Sequence, residues 1–195
     1  MAAQTWLAQV VIDLSLLTAQ PTLVGELVRL EPMGVEHLHG LWPMFADEGV
    51  RAGTGTMHQF AREQIRIGLA SSRDRKDRAD WAILRVADDA VLGEVVLMDL
   101  DEDCESMSFR IALLGPEVFG RGYGTETTRL VRDFALGPLG LHRLALEVNA
   151  FNAAAIAVYT KVGFVEEGVR RDAGHRDGKW YDVHDMAMLE TDPRP

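Results

Sequence analysis

Residues 81–114 contain three aliphatic runs, "WAILRV" (81–86), "VLGEVVLMDL" (91–100) and "SMSFRIALL" (106–114), separated by only "ADDA" and "DEDCE". Parallel neighbours need a crossover of a dozen residues or more, so runs this close can pair only antiparallel. An antiparallel meander at the centre of the chain is therefore expected, and the rest must cover it. Upstream, "LVGELVRLEPM" (23–33) alternates as a strand does and ends at a proline. "GVEHLHGLWPMFAD" (34–47) and "MHQFAREQIRIGLASSR" (57–73) carry apolar residues at three- and four-residue steps, which predicts two amphipathic helices, the first kinked at Pro43. Downstream the order predicted is helix (125–136), strand (142–148), helix (153–163), strand (164–171), a turn at Asp177-Gly178 and a last strand (180–190). The fold class is mixed α/β, with an antiparallel first half and β-α-β crossovers later.

The chain has 195 residues, 47% of them hydrophobic, enough for one domain with a core that needs no staples. Residues 21–195 read as that domain. Residues 1–20, with Trp6, Leu7, Val10, Val11, Ile12, Leu14, Leu16 and Leu17, read as an ordered extension that packs on the domain or on a second subunit, and a homodimer is expected. The extension lacks a basic start, and Gln9 and Asp13 interrupt it, so neither a signal peptide nor a membrane span is predicted. The single cysteine, Cys104, leaves no disulfide within the chain, which fits a reducing cytoplasm. A net charge of −10 would repel nucleic-acid phosphates and tolerate cationic partners such as amines.

Three glycines, Gly120, Gly122 and Gly124, fall between the meander and a helix in "VFGRGYGTE" (118–126). Free N–H groups and the helix dipole favour an anion at such a helix start. Glycines let a phosphate come close and allow positive φ. Arg121 and Thr125 could add contacts; a ligand-free turn is the bland alternative. A Walker A loop would need a Gly-Lys-Ser/Thr ending, which is missing. A dinucleotide-binding fingerprint has Gly120-x-Gly122 and an acid, Glu147, on the next strand. However, Thr125 stands where its third glycine belongs, and the motif lies far from an opening β-α-β unit.

"GPEVFGRGYGTETTRLV" followed by "HRLALEVNAFNAAAIAVYTKVGFVEEGVRR" resembles the GNAT superfamily of acetyl-coenzyme A-dependent N-acetyltransferases, most of all its ribosomal-protein N-terminal acetyltransferase branch. The resemblance spans roughly residues 22–190. It implies a central, mostly antiparallel mixed sheet splayed to admit coenzyme A and flanked by about four helices. The family's loop pattern, Gln/Arg-x-x-Gly-x-Gly/Ala, falls on Phe119, Gly120, Arg121, Gly122, Tyr123 and Gly124. Phe119 departs from its first position, and an aromatic there is similar to the ribosomal branch. By this resemblance the loop cradles the coenzyme's pyrophosphate, and the backbone of Ala112, Leu113 and Leu114 bonds its pantetheine arm. Asn152 also touches that arm, and Tyr159 is the general acid.

Acetyl transfer needs a neutral amine, stabilisation of a developing oxyanion and a proton for the leaving thiolate. Asn152 is equally an N-cap, and Tyr159 equally a core aromatic. For the base, Glu94 and Glu105 flank the presumed cleft, and Asp99 or Asp101 could act through water. His37, His39, His58, His142, His175 and His184 have no partner that the sequence names. No metal-ligand spacing is present, so no metal is predicted. The expected activity is N-acetylation of a primary amine, a protein N-terminus or a small molecule, in a ternary complex with acetyl-coenzyme A. The alternative is a non-catalytic acyl-coenzyme A-binding module.

Overall fold

The structure is a computed structural model in which residues 12–46, 61–176 and 178–195 are described. The apolar residues Trp6, Leu7, Val10 and Val11, the start of the helix expected over 57–73 with His58, and Asp177 of the last turn lie outside the described residues.

Eight strands form one sheet: β1 (Leu23–Val24), β2 (Val28–Pro32), β3 (Ala79–Arg85), β4 (Val91–Asp101), β5 (Ser106–Leu113), β6 (Arg143–Asn149), β7 (Val165–Arg176) and β8 (Lys179–Leu189). Their spatial order is β1-β2-β3-β4-β5-β6-β8-β7, and every pair is antiparallel except β5–β6. Five helices accompany them among the described residues: α1 (Leu14–Ala19), α2 (Leu38–Ala46), α3 (Arg62–Ala70), α4 (Tyr123–Ala135) and α5 (Ala153–Val162). The strand expected over 23–33 is split. Residues 25–27 turn back, and three of the N–H groups of this segment, on Glu26, Leu27 and Val28, bond the Glu126 carboxylate at 2.7–2.9 Å. Pro43 lies inside α2, which begins as a short 3-10 turn, Val35–His37.

Helices cover both faces of the meander. The main core, with Leu30, Trp81, Ile83, Val95, Leu97 and Phe109, packs against α4 and α5. A smaller one, with Met33, Leu41, Met44, Ile65, Leu69, Ala82 and Ala112, packs under α2 and α3. Cover on both sides explains why the first six residues of β3 are all buried instead of alternating. Trp81 ties the layers: its ring meets Phe134 edge-on at 5.6 Å, and its Nε1–H donates to the Pro21 carbonyl at 2.9 Å. The described part of the N-terminal extension belongs to this core. Asp13 caps α1 by accepting from the Ser15 N–H at 3.1 Å, and Leu17 is fully buried. Burying one leucine contributes roughly 1.5–3 kcal/mol.

Candidate active site

β5 and β6 pair over only three positions, Ser106↔Arg143, Met107↔Leu144 and Ser108↔Ala145. Beyond them β5 runs on to Leu113 and β6 to Asn149 without pairing, so the sheet parts. The Leu114 N–H bonds the Leu92 carbonyl on β4, and Ala112 and Arg110 follow it in register. Antiparallel alternation therefore aims the N–H and C=O groups of 109, 111 and 113 at the gap. A cavity of about 1010 Å³ fills this parting. Its lining comes from both faces of the sheet. Phe109, Leu146, Val148 and Met186 belong to the main core side, while Ser108, Arg110, Ala145 and Glu147 alternate with them on the opposite face. The opening thus runs through the sheet.

Tyr159 and Asn152, both carried by the α5 segment, line this cavity. Tyr159 is 7% exposed, with its ring 6.1 Å from Phe109 and 6.0 Å from Phe164. Burial pushes its phenol up to about 12, so it keeps its proton throughout the neutral range. Asn152 does cap α5: its Oδ1 accepts from the Ala155 N–H at 3.2 Å, leaving the amide NH₂ for other use.

The glycine loop sits at the open end of β5 and outside the cavity lining. Gly120 and Gly122 have φ of +70° and +87°, and a side chain at 120 would meet no atom within 4 Å. Gly122 starts α4 with no side-chain cap, so the first N–H groups of that helix remain available. A Cβ on Gly124 would lie 3.6 Å from Leu113, which places the helix start against the end of β5. Phe119 and Arg121 are exposed, and Thr125 is half-buried. Tyr123 instead points into the main core beside Arg85, whose guanidinium is pushed up by Asp88 first and then by the Tyr123 phenol. These features suit a phosphate-bearing ligand with an extended polar arm. Of the expected Ala112, Leu113 and Leu114, only Leu113 turns its backbone groups to the gap, because Ala112 pairs with Glu94 and the Leu114 N–H is taken by Leu92 on β4.

The two acids expected as base candidates lie elsewhere. Glu94 faces the α2–α3 side, where it bonds Arg110 Nη2 at 3.0 Å; burial pushes its carboxyl up, against the pull of Arg110. Glu105 lies at the closed end of the parting, where its carbonyl accepts from the His142 and Arg143 N–H groups. Neither lines the cavity; Asp99 does, and Asp101 does not. Of the described histidines, only His175 lines it, with its ring 4.5 Å from Trp180. His37 accepts the Gly34 N–H, and His142 and His184 pair with Glu190 and Glu166. Glu147, the acid of the dinucleotide reading, is bridged to Arg170 at 2.6 Å on the face away from α4. Arg110, Arg143 and Arg170 were not singled out in the sequence. Among the described residues no group of three or more His, Cys, Asp or Glu could hold a metal ion, and no helix is long and apolar enough to cross a membrane.

A sheet parted between its one parallel pair, with a glycine-started helix beside the gap, defines a two-sided site that a phosphate-bearing ligand can enter from the loop end. The profile of the acetyltransferase (GNAT) domain family matches residues 28–165, and the chain belongs to that family. It is 31% identical over 131 residues to "Probable N-acetyltransferase YjcK" of Bacillus subtilis, covering 67% of this chain and 72% of that one. It is 30% identical over 101 residues to spermidine N(1)-acetyltransferase of Vibrio cholerae, where the match spans 52% of this chain and 58% of the relative. In fold it is similar to a Vibrio cholerae spermidine N-acetyltransferase solved with CoA and spermine (TM-score 0.77, 19% identity, 86% and 98% of the two chains). It is also similar to a GNAT-family acetyltransferase from Bacillus anthracis (TM-score 0.76, 16% identity, 87% and 99%).

Proposed function

We propose that the chain transfers an acetyl group from acetyl-coenzyme A to the primary amine of a small molecule, both substrates being bound at once. The observation that carries this is the cavity through the sheet: it lets a donor on the α4–α5 side and an acceptor on the opposite side meet between β5 and β6. Spermidine acetyltransferases among the relatives support a small amine over the protein N-terminus that the ribosomal-branch resemblance implied.

Acetyl-coenzyme A, when bound, supplies the thioester whose acetyl group is transferred. Gly120, Gly122, Gly124 and the start of α4 hold its phosphates, the open edge of β5 and Asn152 hold its arm, and Arg121 and Thr125 stand beside the loop. In the transfer an N–C bond forms and the C–S bond breaks; the amine loses one proton and the leaving sulfur gains one. Tyr159, kept protonated by burial, gives its proton to that sulfur and regains the one the amine gives up. Holding both reactants in the parting contributes much of the rate by proximity.

A thiol-release assay over a panel of amines tests this. Free coenzyme A should appear only with an amine present, and Tyr159→Phe should slow it. Tight acetyl-coenzyme A binding without turnover on any amine, unaltered by Tyr159→Phe, would leave a binding module instead. We further propose that it works as a homodimer in a reducing compartment, the cytoplasm, supported by the apolar N-terminal segment and a lone, exposed Cys104. Elution at the 21.6 kDa of one chain would remove the dimer.

A further inference from the structure

The whole chain carries a net charge of −10, yet the cavity lining is balanced: Asp99, Glu147, Glu167 and Asp185 against Arg110, Arg143, Arg170 and Arg176. A pocket built for a polycation would concentrate acid, because each added ammonium needs its own counter-charge. Three of the four carboxylates are already committed. Glu147 and Asp185 pair with Arg170 at 2.6 and 3.0 Å, and Glu167 pairs with Arg143 at 2.5 Å.

Asp99 has no ion-pair partner among the described residues. It is also the residue where β4 leaves regular pairing: the register breaks between Met98 and Asp101, and Asp99 adopts φ +57°. Aspartate enters that left-handed region more readily than most residues, and here it does so at the break in pairing on the cavity lining. Arg110 is the corresponding cation. Glu94 holds its Nη2 at 3.0 Å, but its Nε is buried with no partner, so the guanidinium retains unfilled donors. Met98 pairs with Ser108, and Arg110 lies two residues further along β5 on the same face. At about 3.3 Å per residue, Asp99 and Arg110 stand roughly 10 Å apart along the strands.

Resting on the transfer chemistry above, we propose that the acceptor is a small amine that also carries an anionic group, a carboxylate or a phosphate. Asp99 receives the amine end at the rim of the cavity, and Arg110 takes the anion. The anion plays no part in bond making; it fixes the position of the amine, whose proton departs as the N–C bond forms. Among the described residues the committed acids leave no second seat for an ammonium, so a polyamine binds less well.

Initial rates with acetyl-coenzyme A on 4-aminobutyrate, phosphoethanolamine, butylamine and spermidine test the assignment. The expected result is a kcat/KM at least tenfold higher for the better of the two anionic amines than for butylamine or spermidine. Which of the two leads identifies the anion. Arg110→Gln should raise KM for that amine about tenfold and reduce its advantage over butylamine to near unity. Arg110→Lys, which keeps a cation beside Glu94, should restore part of the advantage. Asp99→Asn should weaken every acceptor, because asparagine tolerates the same left-handed backbone but cannot carry the charge. A coenzyme A-induced rise in melting temperature for each variant certifies that the donor side is folded. Spermidine or butylamine as the best acceptor, or an advantage unmoved by Arg110→Gln, overturns the assignment and leaves the transferase reading intact. No thiol release with any amine overturns both.

Discussion

The two sides of the parted sheet are made of different materials. On the α4–α5 side the ligand surface is backbone: the open edge of β5, two glycines at positive φ and an uncapped helix start, all within one stretch. On the other side it is side chains, with charges from β4, β5, β6, β7 and β8 locked by cross-strand pairs such as Arg143–Glu167 and Arg170–Asp185. A backbone surface is conserved by any sequence that keeps the turn and the sheet. A side-chain surface can be rewritten one residue at a time without touching the fold. A TM-score of 0.77 at 19% identity to a spermidine acetyltransferase is what that division allows, and it is why fold similarity does not transfer the acceptor.

The largest effect should come from putting a charge on the backbone side. The space at Gly120 is open and aspartate is among the side chains that enter its left-handed φ of +70° most readily, so Gly120→Asp should fold at some cost in stability. Its carboxylate would oppose an anion at the helix start. Coenzyme A affinity should fall about a hundredfold, some 2.7 kcal/mol, in a calorimetric titration. Unchanged affinity would move the phosphates off this loop and break the contrast. Next comes Tyr159→Phe, with kcat down about a hundredfold and KM for acetyl-coenzyme A within twofold. The same residue sets an alkaline stability term. Its folded value of about 12 lies above the ordinary 10, so its contribution is complete below pH 10 and is lost as pH rises towards 12. Wild type should lose on the order of 3 kcal/mol over that interval relative to Tyr159→Phe, as read by urea midpoints at each pH.

The same division decided what could be read from sequence. The meander followed from three runs too close together to pair otherwise, and the glycine loop with Asn152 and Tyr159 is contiguous enough to stand out. The split of the first strand could not be read, because its cause is Glu126, about a hundred residues away, accepting from the N–H groups of Glu26, Leu27 and Val28. In sequence the base candidates Glu94 and Glu105 flank the presumed cleft. Strand alternation and the closed end of the β5–β6 pair direct them elsewhere. Arg110 and the pairs around Arg143 and Arg170 depend on the register of five strands, which no local pattern encodes. Asp99 sits at a register break, and nothing in "LMDLDED" announces that break.

Glu126 gives the third test, because it ties the backbone side to the first hairpin. Its carboxylate accepts three N–H groups at once, and charge-assisted bonds of this kind are the stronger sort. Glu126→Ala should lower stability by about 2 kcal/mol and weaken coenzyme A binding in proportion as the helix start loosens. Lost stability with unaltered binding would show that the loop holds its shape without the hairpin.

The smallest effect, and the one that probes the side-chain surface most directly, is Glu94→Gln. Burial holds the Glu94 carboxyl above its ordinary value in the folded state, while Arg110 pulls the other way. A carboxyl with a raised folded value is neutral in both states below its unfolded value and costs stability as pH climbs from there through the folded one. Wild type and variant should therefore match near pH 4. The variant should be the more stable at pH 8, but only slightly, because glutamine leaves the half-exposed Arg110 without its counter-charge. Urea midpoints at the two pH values decide it. If wild type is the more stable at pH 8, the Glu94–Arg110 pair holds the sheet together, and the acceptor side would then share with the donor side a part that cannot be rewritten freely.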